Sequence, residues 1–384
     1  MKPQTAVIYS TNRNWAWGAP DYAWSQAVHR LLEAQIKVLG ILHPEALLRN
    51  EVKELQKKGA AFYPQPLPQY YRGRIGQIKN TLCALIPQHY RRTRFLQTLK
   101  NAHIFINQGG DLDFLYEAAC LNILDRTSIT YDIIVNSTRY TPPLASHERT
   151  LAQEIINQSH RIYFNSQWTR DIVQNKLALP ISKAEIFSYP VRNIAKKPLP
   201  WPEGNTAELA CACRWDVFHK GLDVLLIALS QLKDHKQFWR LHLYGYGPES
   251  DTEYLKDLIT YKKLKDRVLL HPFEKDVGTI WSQCHILLLT SRFEGFGVSM
   301  LDAMAYGRPV LRTPNGDAGK WIKHNSNGYL CPAAEPELIT KTLDYALNNY
   351  PRWKSMGTAA HNTLLSSSLG DPLAPFLRPF NIEN

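Results

Sequence analysis

Acidic side chains are missing from a long stretch of the chain: none occurs between Glu54 and Asp111, while Lys57, Lys58, Arg72, Arg74, Lys79, Arg91, Arg92, Arg94 and Lys100 fall inside it. Much of the net charge of +11 therefore sits in the first half. A balance of that sign favours an anionic partner: nucleotide, phosphate, nucleic acid or membrane surface. Cysteine is scarce too. Six residues at 83, 120, 211, 213, 284 and 331 are too few and too scattered for a disulfide scaffold, and none forms a C-x-x-C pair with metal-site spacing. No apolar run approaches the roughly 18 to 20 residues of a spanning helix, and Met1-Lys-Pro-Gln4 leads into a strand pattern instead of a signal-peptide core. The expectation is a cytoplasmic protein, neither exported by that route nor integral to a membrane.

What is present is a rhythm of short apolar strands and helical patterns, the signature of a parallel sheet with crossover helices. Strands are predicted at 5–10, 37–43, 103–107, 129–135 and 161–165, with helices at 21–34 and 45–58 and a helix after Ser166, a plausible N-cap. Pro190, Pro198, Pro200 and Pro202 then interrupt any periodicity. The alternation restarts with strands at 208–213, 241–245, 268–271, 285–290 and 309–312 and helices at 221–232 and about 296–306. The expected architecture is α/β, two Rossmann-like doubly wound domains facing a cleft: residues 1–190, a linker over 191–206, a second domain over 207–365, and a Pro-rich tail over 366–384 packed as an irregular strap.

The densest chemistry lies in Ser291-Arg-Phe-Glu-Gly-Phe-Gly-Val-Ser-Met-Leu-Asp302. It reads as a strand end, a glycine-rich turn and a helix start. Gly295 and Gly297 let backbone approach a ligand closely, and the amides of Phe296, Gly297 and Val298 are donors at the positive end of a helix, a place for an anion. Glu294, an acceptor ahead of those amides, suits sugar hydroxyls. Asp302 follows eight residues on, which fits a ligand with hydroxyls at both ends and a diphosphate between. Arg214 and Lys220, after an earlier strand end, supply charge for such a diphosphate, so a leaving phosphate can be stabilised without a metal. No D-x-D sequence suits a metal there; Asp111-Leu-Asp113 has the spacing but lies in the first domain and reads better as a helix-start cap. Backbone near His271, Pro272 and Phe273 is the expected contact for a nucleotide base.

These segments resemble the retaining glycosyltransferases of the GT-B fold, family 4, the glycosyl transferases group 1 family. Glu294 to Asp302 is similar to that family's E-x7-E element, and Arg214-Trp-Asp-Val-Phe-His-Lys220-Gly221-Leu-Asp223 to its R…KG-x-D segment, whose Arg and Lys grip the donor diphosphate. Leu243-Tyr-Gly245-Tyr-Gly247-Pro248 resembles its G-x-G-P turn, and Ser166-Gln-Trp-Thr169-Arg170 its helix start. Gly18 loosely matches its glycine loop beneath the donor phosphates, and Thr130-Tyr131-Asp132 stands where a strand usually leads to His-Asp, which brings Asp132 forward as an acceptor-side residue. The chain departs from the pattern in having Asp302 for Glu and Lys320 for an acid after Gly316. The resemblance implies a retaining, metal-independent hexosyl- or N-acetylhexosaminyltransferase. Its UDP- or GDP-linked sugar is a substrate, and no cofactor is needed.

Trp15 and Trp17, after the first strand, suit stacking on an acceptor sugar and equally suit packing between domains. Ile75, Ile78, Leu82, Leu85 and Ile86, then Phe95, Leu96 and Leu99, form apolar stripes edged by the basic residues. Such stripes fit a peripheral helix on the anionic inner face of a membrane, which would make the carbohydrate acceptor lipid-linked, and fit a core-facing helix as well. Two readings compete: an active transferase in glycan or glycolipid assembly, and a catalytically degenerate glycosyltransferase-like binding subunit. Nucleic acid is not an expected partner, since no RNA- or DNA-binding module is visible.

Overall fold

The computed structural model describes residues 4–10, 19–43, 45–64, 102–108, 130–138, 144–187, 189, 197–367, 371 and 373–382. Two compact units emerge, one comprising residues 1–165, 170–188 and 370–384, the other 166–169 and 189–369.

In the first unit, strands β1 (Thr5–Ser10), β2 (Lys37–Leu42), β3 (Ala61–Pro64), β4 (Ala102–Gln108), β5 (Thr130–Val135), β6 (Arg161–Phe164) and β7 (Ala184–Ile186) form one sheet in the order β3-β2-β1-β4-β5-β6-β7. Every pairing is parallel. The central strands are apolar runs such as Ile104-Phe-Ile106, buried on both faces as parallel strands must be under crossover helices. Helix α1 (Ala19–Glu33) carries acidic Asp21 in its first turn and basic Arg30 in its last, both favourable to the helix dipole. Helix α2 (Asn50–Lys57) begins only after a 3₁₀ turn at Ala46–Leu48, so the helix expected over 45–58 is two pieces. Helices α3 (Ser146–Gln158) and α4 (Gln167–Leu177) flank β6. At the start of α4 the hydroxyl of Ser166 accepts from the Thr169 amide at 3.1 Å, as the expected N-cap requires.

The C-terminal tail belongs to this unit. It forms a short helix, Ala374–Leu377, and a 3₁₀ turn, and Phe376 and Phe380 bring their rings to 5.3 and 6.3 Å from Phe105 of β4.

The second unit holds β8 (Ala207–Ala212), β9 (Trp239–Tyr244), β10 (Val268–His271), β11 (Ile286–Leu289), β12 (Val310–Arg312) and β13 (Gly328–Leu330), ordered β10-β9-β8-β11-β12-β13 and again parallel throughout. The strand order reverses between β8 and β11, the position beyond whose carboxyl ends ligands of doubly wound sheets bind. Helix α5 (Val217–Lys220) leads into α6 (Leu222–Gln231), which buries Leu222, Leu225, Leu226 and Leu229 as their spacing predicts. Described residues of the expected linker are built into this unit: buried Arg308 donates to the carbonyls of Leu199 and Pro200 at 3.4 and 2.7 Å.

Candidate active site

Both chain segments leaving β8 and β11 carry the charged residues singled out above. Past β8, Asp216 caps α5 by accepting from the His219 amide at 3.1 Å, and this short helix presents Lys220. Past β11, Glu294 lies in the loop before α7 (Val298–Ala305). The two meet: Lys220 Nζ donates to Glu294 Oε2 at 2.8 Å, with both side chains only 16% exposed. Ser291 Oγ donates to the same oxygen at 3.2 Å. Burial by itself would raise the Glu294 carboxyl, but the charges of Lys220 and His219, the hydrogen bond from Lys220 and the charge of Arg312 outweigh it and bring it down to about 2. Glu294 is therefore an anion throughout the physiological range. A depressed carboxyl contributes stability that is complete above its unfolded value near 4.5 and disappears as pH falls toward 2. His219 moves down as well, through burial and then the charge of Lys220.

Arg214 stands just past β8 and donates through Nη2 to Asp216 Oδ2 at 3.2 Å. Its loop is held by the glycine turn after β9. Gly245 has φ +145°, and a Cβ there would lie 2.0 Å from the Cys213 carbonyl; one on Gly247 would lie 2.2 Å from that of Trp215. Only glycine allows the two turns to press together this closely. Trp215 N–H donates to the Tyr246 carbonyl at 2.8 Å across the same contact.

Helix α7 opens on Gly297 at φ +83° in the left-handed region, so the Phe296–Val298 amides lie at its positive end. Phe296 is buried; Phe273, beyond β10, is 59% exposed. Asp302 lies in the second turn of α7 and is buried. Arg312, which sequence reasoning passed over, underpins the loop. Its guanidinium is 1% exposed and donates to the Phe296 and Asn315 carbonyls at 3.0 and 2.5 Å; burial lowers it to about 10, still charged at neutral pH. The available signal was an arginine closing the apolar strand β12. Lys320 is exposed, and the acid near it, Asp317, accepts from the amides of Gln167 and Trp168 at 2.8 Å each, residues that group with the second unit.

In the first unit one placement differs from expectation. Asp132 is the third residue of β5, fully buried near the amino edge of the sheet, whereas a ligand site belongs beyond the carboxyl ends. Strand β5 runs on to Val135, so Asn136 occupies the position at its carboxyl end, and Asp132 is not retained as an acceptor residue. There Asn136 Nδ2 donates to Asn107 Oδ1 at 2.8 Å, and Asn107 Nδ2 to Ser10 Oγ at 3.4 Å. This polar row across three strand ends was not anticipated, because each member follows its strand singly. Trp15, Trp17 and Gly18, the 65–101 part of the basic interval, and Asp111 and Asp113 lie outside the described residues.

Two Rossmann-like domains, the second presenting charged and glycine-rich loops at its strand-order reversal, define a GT-B protein. HepE of Anabaena, crystallised in complex with UDP and glucose, has a similar structure: TM-score 0.70, 15% identity, 98% of each chain covered. Residues 205–363 match the family described as "Glycosyl transferases group 1". An uncharacterized glycosyltransferase of Haemophilus influenzae is 32% identical over 132 residues, 34% of this chain and 37% of that protein. N-acetyl-alpha-D-glucosaminyl L-malate synthase of Bacillus anthracis is 24% identical over 294 residues, 75% of this chain and 68% of that one. The match thus spans little more than a third of the Haemophilus protein's length.

Proposed function

We propose that the chain is a retaining, metal-independent glycosyltransferase that moves a hexosyl or N-acetylhexosaminyl group from a UDP-linked donor to a carbohydrate or lipid-linked acceptor. The observation that carries this is the Lys220–Glu294 pair at the strand-order reversal, beside the amino end of α7. Without donor, each charge neutralises the other. When a diphosphate arrives, Lys220 and Arg214 can turn to it and Glu294 is released to accept hydrogen bonds from sugar hydroxyls. Fixed cations and helix amides then stabilise the charge that grows on the outer phosphate as its bond to the anomeric carbon breaks. In this reading, which follows the family resemblance, the leaving phosphate takes the proton of the incoming hydroxyl on the same face, which keeps the anomeric configuration. The UDP in the HepE complex supports uridine as the donor base.

The test is a panel of UDP- and GDP-sugars incubated with purified protein. At least one UDP-sugar is expected to be hydrolysed slowly, to a sugar of retained configuration by NMR, at a rate that added Mg²⁺ or Mn²⁺ does not raise. Binding of UDP with no turnover of any donor would favour the degenerate binding subunit instead.

The acid-free basic interval supports an acceptor held at an anionic leaflet, where each Lys or Arg contributes on the order of 1 kcal/mol. Among the described residues no helix is long and apolar enough to cross a membrane. The protein should co-sediment with liposomes containing anionic lipid at low salt, and be released at 1 M salt, where the screening length is about 3 Å. Replacement of Arg91, Arg92 and Arg94 by Glu should abolish it. Protein that stays in the supernatant at low salt points to a soluble acceptor.

A further inference from the structure

At the amino edge of the first sheet, three adjacent strands bring together residues far apart in sequence. His103 is the second residue of β4, Asp132 the third of β5, and His160 immediately precedes β6; the register sets Asp132 beside Phe105 on one side and Arg161 on the other. His103 Nε2 lies 3.0 Å from Asp132 Oδ2, and His160 Nδ1 lies 3.1 Å from Asp132 Oδ1. All three ligand atoms fall within 4.8 Å of one another. His103 and Asp132 are 3% and 0% exposed, while His160 is 49% exposed.

The buried half of this cluster is unresolved chemically. His103 Nε2 and Asp132 Oδ2 are sealed from water and make no hydrogen bond with any described residue, despite their 3.0 Å approach. An imidazole nitrogen this close to a carboxylate oxygen requires positive charge between them, a proton or a metal ion, and the pair lacks hydrogen-bond geometry for the proton. We propose that His103, Asp132 and His160 bind one divalent zinc-class ion, which ties the amino edges of β4, β5 and β6 together. Two imidazoles and a carboxylate form a donor set that suits zinc. Zinc bonds of about 2.0 to 2.1 Å place tetrahedral donors roughly 3.3 Å apart, a few tenths of an ångström beyond the two His–Asp spacings and within the 4.8 Å that bounds the whole set. The half-exposed His160 leaves a route in and room for a water as fourth ligand.

The surroundings are those of an ordered site. The Arg161 amide donates to Asp132 Oδ1 at 3.0 Å, and the His160 amide to the Tyr131 carbonyl at 2.8 Å, fixing both backbones. Phe105 and Phe380 line the His103 ring with centroids at 4.9 and 6.3 Å, so the C-terminal strap forms part of the apolar wall. The nearby cations are engaged elsewhere: Lys183 Nζ donates to the Asn157 and Ser159 carbonyls at 2.9 and 2.5 Å, and Arg161 pairs with Glu185 at 2.5 Å. The role is structural and independent of sugar transfer, whose residues belong to the second unit.

Full-length protein stripped with chelator and titrated calorimetrically with Zn²⁺ should take up one equivalent, with a rise in thermal midpoint. Co²⁺ should give the visible d–d bands of a low-symmetry nitrogen and oxygen site. His160→Ala should weaken Zn²⁺ binding on the order of 100-fold and abolish the thermal rise, while its metal-free midpoint stays near wild type because His160 is half-exposed. His160→Asn serves as a second variant should the alanine form prove unstable. Absence of stoichiometric Zn²⁺ uptake, or equal affinity in wild type and both variants, overturns the proposal and leaves the cluster as two histidines sharing protons with Asp132.

Discussion

Glu294→Gln is expected to lower transfer on the order of 100-fold while UDP affinity is kept or tightened. Glu294 is the partner of Lys220 at 2.8 Å, and its carboxyl is held at about 2, so the wild-type group is an anion whenever donor binds. A hydrogen bond to a charged acceptor contributes about 1.5 to 3 kcal/mol, which is roughly 10- to 100-fold in rate when it serves the reacting sugar. The amide keeps shape and removes charge. Lys220, relieved of its counter-ion, becomes more available to a diphosphate, which is why binding should not fall with turnover. Steady-state assays beside UDP titration check this, and parallel losses in both would assign Glu294 to phosphate or ribose instead.

Lys220→Ala should show the opposite division. It removes a cation meant for the diphosphate, so kcat/KM should drop on the order of 100-fold. It also strands Glu294 among largely buried groups, where truncating one partner of an ion pair is more damaging than the pair's own net worth. The Glu294 carboxyl should then rise, and stability should begin to fall at a higher pH on acidification than in wild type. Lys220→Ala combined with Glu294→Gln should recover stability without recovering activity. Denaturation curves at neutral and acidic pH, with rates for the same proteins, separate the two effects. An unaltered rate in Lys220→Ala would remove this lysine from the chemistry.

Most of the parallel strands were legible because those buried on both faces read as short apolar runs, as Ile286-Leu-Leu-Leu289 does. Strands β3, β7 and β13 were not: they are three or four residues long, and in β3 and β7 partly exposed, too short for a period to declare itself. Glu294, Lys220 and Gly245 could be singled out because each lies in a local motif that follows a strand, and the structure joins the first two directly. Arg312 escaped notice because its function depends on burial beneath Phe296, which no local pattern encodes. The same holds for His103, Asp132 and His160, which converge only through strand register. Asp132 came forward through resemblance alone, although the strand predicted over 129–135 already set it mid-strand; Ile133, Ile134 and Val135 carry β5 onward before Asn136.

In the proposed function, the carboxyl edge of the second sheet between β8 and β11 holds a nucleoside diphosphate through Arg214 and Lys220. Calorimetric titration of UDP into wild type, Arg214→Ala and Lys220→Ala, without added metal, tests it most directly. Wild type should show saturable one-site binding, and each variant should lose about 1.5 to 3 kcal/mol, the contribution of a charge-assisted contact. Equal UDP affinity in all three proteins would contradict it.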